Sequence, residues 1–219
     1  NTIDGLTLEF DGVEITTKLA GDFNAYNLLA AYTVALHFNQ EQKLIQKHLS
    51  SIQQIPGRFN LLRSKGGVIG IIDYAHTPDA LQKVIASISS FCNIKNDLIV
   101  VIGCGGNRDQ GKRSLMGKIA YEESNMSIFT SDNPRFESPL RIIGEIRSGM
   151  TKAPILEEVD RKKAIQFAVK TATANDYILL AGKGHENSQV MGGSTEPFSD
   201  RVEVTRLLGC NEQGAQHAS

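Results

Sequence analysis

Residues 97–113, DLIVVIGCGGNRDQGKR, form the stretch that decides the fold: an apolar run stops abruptly at a glycine-rich, charged loop. Leu98, Ile99, Val100, Val101 and Ile102 are consecutive and mostly β-branched, the pattern of a strand buried on both faces in a parallel sheet covered by helices. The loop that follows therefore belongs at the C-terminal edge of a sheet. Gly103, Gly105, Gly106 and Gly111 permit tight turns and close approach of backbone to a ligand, and Arg108, Lys112 and Arg113 add positive charge beside them. An anion is the expected guest.

Two familiar phosphate loops fail here. GNRDQGKRS, residues 106–114, is close to a Walker loop, but Arg113 stands where a Ser or Thr would hold magnesium. GCGG suggests a dinucleotide fingerprint, yet Arg108 occupies the third glycine position of G-x-G-x-x-G. The loop alone leaves open a plain glycine turn with solvated charges.

Composition sets the class. The chain has 219 residues, a net charge of −1, 41% hydrophobic residues and 21% charged residues, which describes a globular protein able to bury a full core in one or two domains. Nothing in that balance calls for a nucleic acid or a membrane. No apolar run approaches the ~18 residues of a membrane span, and the start, NTIDGLTLEF, has neither the basic region nor the apolar core of a signal peptide. Cys92, Cys104 and Cys210 are odd in number and lack C-x-x-C spacing, so neither a disulfide framework nor a zinc site is indicated, and no metal ligands are assigned. A reducing cytoplasm is the expected home, and Cys104 is expected to be a buried bystander rather than a nucleophile.

Residues 1–19 alternate around Leu6, Leu8, Phe10, Val13 and Ile15, with Asp11-Gly12 between two runs, a hairpin signature. A lone hairpin is unstable, so this one must edge something larger. Helical spacing follows over 24–38 and 41–52, and Pro56-Gly57 reads as a domain boundary. From Gly67 onward strands at 68–72, 97–103, 127–131, 155–159 and 177–181 alternate with helices at 79–91, 112–123, 139–148, 161–173 and 197–208, with an irregular turn at Gly192-Gly193. That alternation predicts an α/β fold, a doubly wound and mostly parallel sheet with flanking helices. The polar tail 210–219 is expected to be disordered.

In open α/β sheets ligands bind outside the carboxyl ends of the strands. Four strand ends here carry unusual chemistry: DYAHTP (73–78), the loop 103–113, SDNPR (131–135) and GKGHE (182–186). A shared cleft is expected. Arg108 and Arg135 offer guanidinium forks suited to a carboxylate, while Asp132, Asn133 and Glu186 can accept hydrogen bonds from an ammonium group. An amino acid carries both charges. Taken alone, Asn133-Pro134 is also an ordinary turn, and His76 and His185 are as readily structural as functional.

The segments GDFNAYNLLAA (21–31), PGRFN (56–60), DYAHTPDAL (73–81), GCGGNRDQGKRSLMGKIA (103–120), TSDNPR (130–135) and AGKGHE (181–186) resemble the Mur ligases, in order and in register from residue 20 to residue 208. The likeness is strongest to the branch that adds the third amino acid to a UDP-MurNAc-dipeptide, UDP-MurNAc-L-Ala-D-Glu, in peptidoglycan synthesis. The resemblance implies three domains in such an enzyme. Residues 1–55 would be the C-terminal remnant of the central α/β ATP-binding domain, and residues 56–209 the Rossmann-like C-terminal ligase domain.

The resemblance also implies roles, residue by residue. Asn24 and Asn27 match the F-N-x-x-N motif, whose second Asn lies by the adenine of ATP. Arg58 matches the arginine after the interdomain hinge, which contacts nucleotide phosphate and stabilises charge during transfer. Asp73 matches the acid that holds the ribose, and His76 lies in the same nucleotide-facing loop. Arg108, Asn133, Arg135, Gly182 and Glu186 match the pocket for the added amino acid, beside Asp132. The form D-N-P-R goes with meso-diaminopimelate, whose distal carboxylate Arg135 would grip and which lysine lacks. Attack of the D-glutamyl carboxylate on ATP would give an acyl phosphate, which the incoming amine then displaces.

Two departures qualify the match. The family's G-x-x-G-K-[ST] phosphate loop and its carbamylated lysine do not occur here, so the chain reads as a C-terminal portion. Most ligands of the Mg2+ that accompanies ATP would then lie outside it, and the chain alone is expected to make no amide bond. A monomer is expected, with no nucleic-acid or membrane partner. Two rival readings remain open: an L-lysine-adding ligase, and a non-catalytic module that binds a nucleotide or an amino acid.

Overall fold

The computed structural model describes residues 1–93, 95–150 and 156–210. It opens with β1 (Leu6–Phe10) and β2 (Val13–Thr17), antiparallel and joined at Asp11-Gly12, both at positive φ as a two-residue hairpin turn requires. Helices α1 (Asp22–His37) and α2 (Gln42–Ser50) follow. Leu6, Ile15, Leu19, Leu28, Tyr32, Ile45 and Leu49 make a cluster of their own. α1 is apolar all round: Leu28 and Tyr32 enter that cluster, while Tyr26, Leu29 and Val34 stay exposed.

The chain continues through β3 (Asn60–Arg63), β4 (Ile69–Asp73), α3 (Pro78–Ser89), β5 (Leu98–Ile102), α4 (Gly111–Glu122), β6 (Met126–Thr130), α5 (Pro139–Arg147), β7 (Leu156–Glu158), α6 (Arg161–Thr171) and β8 (Tyr177–Ala181). A hairpin of β9 (Ser188–Met191) and β10 (Ser194–Pro197) precedes α7 (Asp200–Leu208). Six strands form one sheet in the order β3-β4-β8-β5-β6-β7, parallel except for β3, which runs antiparallel to β4 at the edge.

Every residue of β5 is buried, because alternate side chains serve two cores. Leu98, Val100 and Ile102 pack with Leu81 and Ile85 of α3, Met116 of α4 and Ile143 of α5. Ile99 and Val101 pack with Ala164 and Ile165 of α6 and Val204 of α7. Thr77 starts α3 by accepting the Ala80 N–H, with Pro78 at the first helical position.

Three features escaped the sequence pattern. β3 is four residues long and lacks alternation, and its pairing with β4 decides it. The irregular turn expected at Gly192-Gly193 is the tip of the β9–β10 hairpin, whose strands are short and carry little apolar signal. The helix expected over 197–208 starts only at Asp200, since residues 194–197 are strand. The start of the seventh strand at Ile155 and the tail 211–219 lie outside the described residues. Cys210, placed with that tail, is anchored through its N–H on Thr205 O.

β8 decides where the site falls. It slots between β4 and β5, so the C-terminal ends of β4, β8, β5 and β6 stand side by side. At ~4.8 Å per neighbouring strand these four ends span ~14 Å, the width of a small-molecule cleft.

Candidate functional site

The loops after those four strands enclose a cleft of about 390 Å³. Arg108, Asp132, Asn133, Arg135, Gly182 and Glu186, the residues expected to hold an amino acid, all line it, with His76 and Lys112 beside them. A larger opening of about 580 Å³ lies between β3 and α7. Among the described residues it is lined by Lys18, Arg63 and Arg201 with no carboxylate, so these residues lack the pairing of charges that marks the smaller cleft.

Arg135 is held by its backbone and by one edge of its guanidinium. Its φ is +53°, its N–H donates to Val190 O at 2.9 Å, and its carbonyl accepts from Gly192 N at 2.6 Å, so the β9–β10 hairpin clamps it. Nη1 donates to Gly106 O at 2.8 Å and Asn133 O at 3.4 Å. Nε and Nη2 make no hydrogen bond among the described residues, and this free edge is a fork of carboxylate shape. Gly106 N in turn donates to Asn133 O at 2.9 Å. A Cβ on Gly106 would overlap Pro134 O, so this glycine serves contact between two loops rather than approach to a ligand.

Arg113 is a correction. Read as a charge offered to an anion, it is fully buried in the first turn of α4. Its guanidinium forks onto Glu137 at 2.9 and 3.0 Å, reaches Glu145 and donates to Gly105 O at 3.0 Å. It fixes the glycine loop from beneath. The Arg113 hydrogen bonds, with the Asn107 N–H, pull the Glu137 carboxyl down to about 2.

The opposite side of the cleft is acidic. Glu186 Oε2 accepts from Asn133 Nδ2 at 2.8 Å and from Lys183 Nζ at 3.1 Å. Asp132 Oδ1 lies 3.6 Å from that ammonium and makes no hydrogen bond among the described residues. Burial pushes the Asp132 carboxyl up, against the pull of Arg161 and then Lys183. Beneath lies a fully buried pair that sequence reasoning missed. Arg161 Nε and Nη2 each reach an Asp200 oxygen at 2.7 Å, and the guanidinium also donates to Ser131 O and Ala181 O. Helices α6 and α7 thereby fix the ends of β6 and β8. Nothing local in the sequence pairs residues 161 and 200.

The residues assigned to a nucleotide divide in two. Arg58, Asp73 and His76 gather around Tyr74 at one side of the cleft. The Arg58 guanidinium lies 4.9 Å over the Tyr74 ring, and the His76 ring lies against it at 4.7 Å, tilted by 58°. Asp73 accepts from Phe59 N at 2.8 Å and Ala75 N at 2.7 Å, tying the segment after Pro56-Gly57 to this loop. Burial raises its pKa, and these two N–H groups oppose the rise. Asn24 and Asn27 sit apart on α1. Asn24 is buried, donates to Ala20 O and accepts from Asn27 Nδ2, while Asn27 lines a separate opening with Phe23, Tyr26 and Lys83.

Cys104 is buried against Met116 and pushed up to about 12 by burial, the inert thiol that was expected. Among the described residues no cluster of three or more His, Cys, Asp or Glu side chains could hold a metal ion, and no helix is long and apolar enough to cross a membrane.

The comparisons with known proteins place the chain in a family. The family model described as Mur ligase, glutamate ligase domain, matches residues 57–184. The UDP-N-acetylmuramoyl-L-alanyl-D-glutamate–2,6-diaminopimelate ligase of Phocaeicola vulgatus is 44% identical over 212 residues, which is 95% of this chain and 44% of that protein. The enzyme of the same name from Aquifex aeolicus is 45% identical over 207 residues, 93% of this chain and 42% of that protein. A solved structure of a ligase of that name superposes with a TM-score of 0.69 at 34% identity, covering 95% of this chain and 43% of its own. The chain thus spans under half the length of the curated relatives it matches. With the family model covering most of the sheet and its glycine loop, the chain belongs to the Mur ligase family.

Proposed function

We propose that this chain is the amino-acid-binding portion of an ATP-dependent ligase that joins meso-diaminopimelate to UDP-MurNAc-L-Ala-D-Glu. One observation carries the reading: a cleft of amino-acid size has, among the described residues, a guanidinium edge at Arg135 and a carboxylate oxygen, Oε1, at Glu186 that make no hydrogen bond, with Asp132 beside them. Diaminopimelate presents a carboxylate and an ammonium at its far end as well as at its reacting end. Lysine has no far carboxylate and would leave Arg135 unpaired, which argues against the lysine reading.

Mur ligases are ATP-dependent and in general require Mg2+. ATP supplies activation of a carboxylate; the groups described here bind and orient. Arg135 and Arg108 take the distal carboxylate, and Glu186 and Asp132 take the adjacent ammonium, which aims the reacting amine. Holding reactants in place can lower a barrier by ~7–11 kcal/mol. Arg58, stacked on Tyr74 with no ion pair among the described residues, fits a phosphate contact. Asp73 and His76 flank it, and Asn27, oriented by Asn24, fits a base edge beside Tyr26. Residues 1–55 act as part of the ATP-binding domain and residues 56–209 as the ligase domain, in a cytoplasmic, monomeric enzyme. Lacking a phosphate loop, the 219 residues alone make no amide bond.

Calorimetric titration of the purified chain with meso-diaminopimelate and with L-lysine tests the reading. Preference for meso-diaminopimelate supports it, and equal affinity for both defeats it.

A further inference from the structure

Lys183 is fully buried, and a buried ammonium persists only where its charge and its three N–H groups are met. Its Nζ donates to Ser188 O at 2.7 Å, Glu186 Oε2 at 3.1 Å and Asn133 Oδ1 at 3.3 Å, and lies 3.6 Å from Asp132 Oδ1. Asn133 Oδ1 also accepts from Val190 N at 3.0 Å. With its oxygen held from two sides, the Asn133 amide turns Nδ2 onto Glu186. Glu186 Oε2 therefore receives two donors, while Oε1 makes no hydrogen bond among the described residues.

Apart from Arg108 and Arg135, which line the same cleft and are assigned to the carboxylate, the charges around the Lys183 ammonium have a simple sum. Lys183 carries one positive charge against the negative charges of Asp132 and Glu186, and the neighbouring Arg161 and Asp200 cancel each other. One negative charge is left over, which complements a single ammonium.

We propose that Lys183 is a positioning residue of this cleft: its buried ammonium fixes the Asn133 amide, occupies one Glu186 oxygen and leaves the other oxygen, with one net negative charge, for the ammonium of the bound amino acid. The inference rests on the amino-acid reading of the cleft. Without the Lys183 charge, buried Asp132 and half-buried Glu186 become like charges facing one another with nothing between them, and one of them retains a proton.

The test compares the native chain with Lys183→Met and Lys183→Gln, the second keeping a donor for Ser188 O should the first not fold. Carboxyl carbon NMR follows the titration of Asp132 and Glu186, and calorimetry follows meso-diaminopimelate. In either variant one of the two carboxyls is expected to hold its proton ~10-fold more tightly or more than in the native chain. Affinity for meso-diaminopimelate is expected to fall ~10-fold or more, the size of a lost charge-assisted hydrogen bond. A folded variant that keeps both native carboxyl titrations overturns the proposal, because a purely structural lysine would change the melting temperature and leave those titrations alone. A native chain that does not bind meso-diaminopimelate overturns the substrate reading instead, and the carboxyl titrations still decide the role of Lys183.

Discussion

Arg135 and Gly106 are locked together across two strand ends: Arg135 Nη1 donates to the Gly106 carbonyl at 2.8 Å, while the Gly106 α-carbon rests against Pro134 O. One guanidinium edge is thereby consumed in building the loop pair, and the other makes no hydrogen bond among the described residues. Gly106→Ala forces these loops apart. The variant is expected to lose ~1–3 kcal/mol of stability, as overpacked sites do, and to bind meso-diaminopimelate ~10-fold or more weakly, read by urea unfolding and by calorimetry. Native affinity in this variant would show that the loop contact does not shape the pocket.

The buried pair of Arg161 and Asp200 supports the ends of β6 and β8 from below. Asp200→Ala leaves a guanidinium buried without its counter-charge, and ~3–5 kcal/mol of stability is expected to go with it. Denaturant unfolding measures the loss; a change under ~1 kcal/mol would mean that water replaces the carboxylate.

Glu137 gives a pH dependence with a definite sign. Its folded pKa lies near 2 against 4.5 for the free side chain, because Arg113 and the Asn107 N–H hold the carboxylate. A depressed carboxyl contributes stability that is fully present above about 4.5 and is lost as pH falls through about 2. The melting temperature of Glu137→Gln is expected to fall less than that of the native chain across this window. Parallel curves would remove Glu137 as a source of acid sensitivity.

Cys104 sits in the glycine loop yet is pushed up to about 12, chiefly by burial. Iodoacetamide at pH 8 is expected to leave Cys104 unmodified in the folded chain and to label it in urea, with peptide mass spectrometry as the readout. Rapid labelling of the folded chain would show that the thiol reaches solvent.

Much of this architecture was legible in the residues. The unbroken apolar run 98–102 announced a doubly buried strand, and the residues after it, with SDNPR and GKGHE, announced a common edge. What stayed hidden depended on tertiary pairing. β3 is a strand because β4 lies beside it, and the polar β9–β10 hairpin forms where it clamps Arg135. Arg113 and Arg161 look like surface charges until their partners at 137, 145 and 200 are brought to them. Lys183 stood in a quoted motif, but its burial follows from β8 entering the sheet between β4 and β5.

The most direct measurement is the ratio of affinities for meso-diaminopimelate and L-lysine, taken on the native chain and on Arg135→Ala. A charge-assisted, forked grip on the distal carboxylate is worth ~1.5–3 kcal/mol, so the native ratio is expected to lie at ~10–100 and to collapse toward one in the variant. A native ratio that survives removal of the guanidinium would contradict the assignment of this cleft.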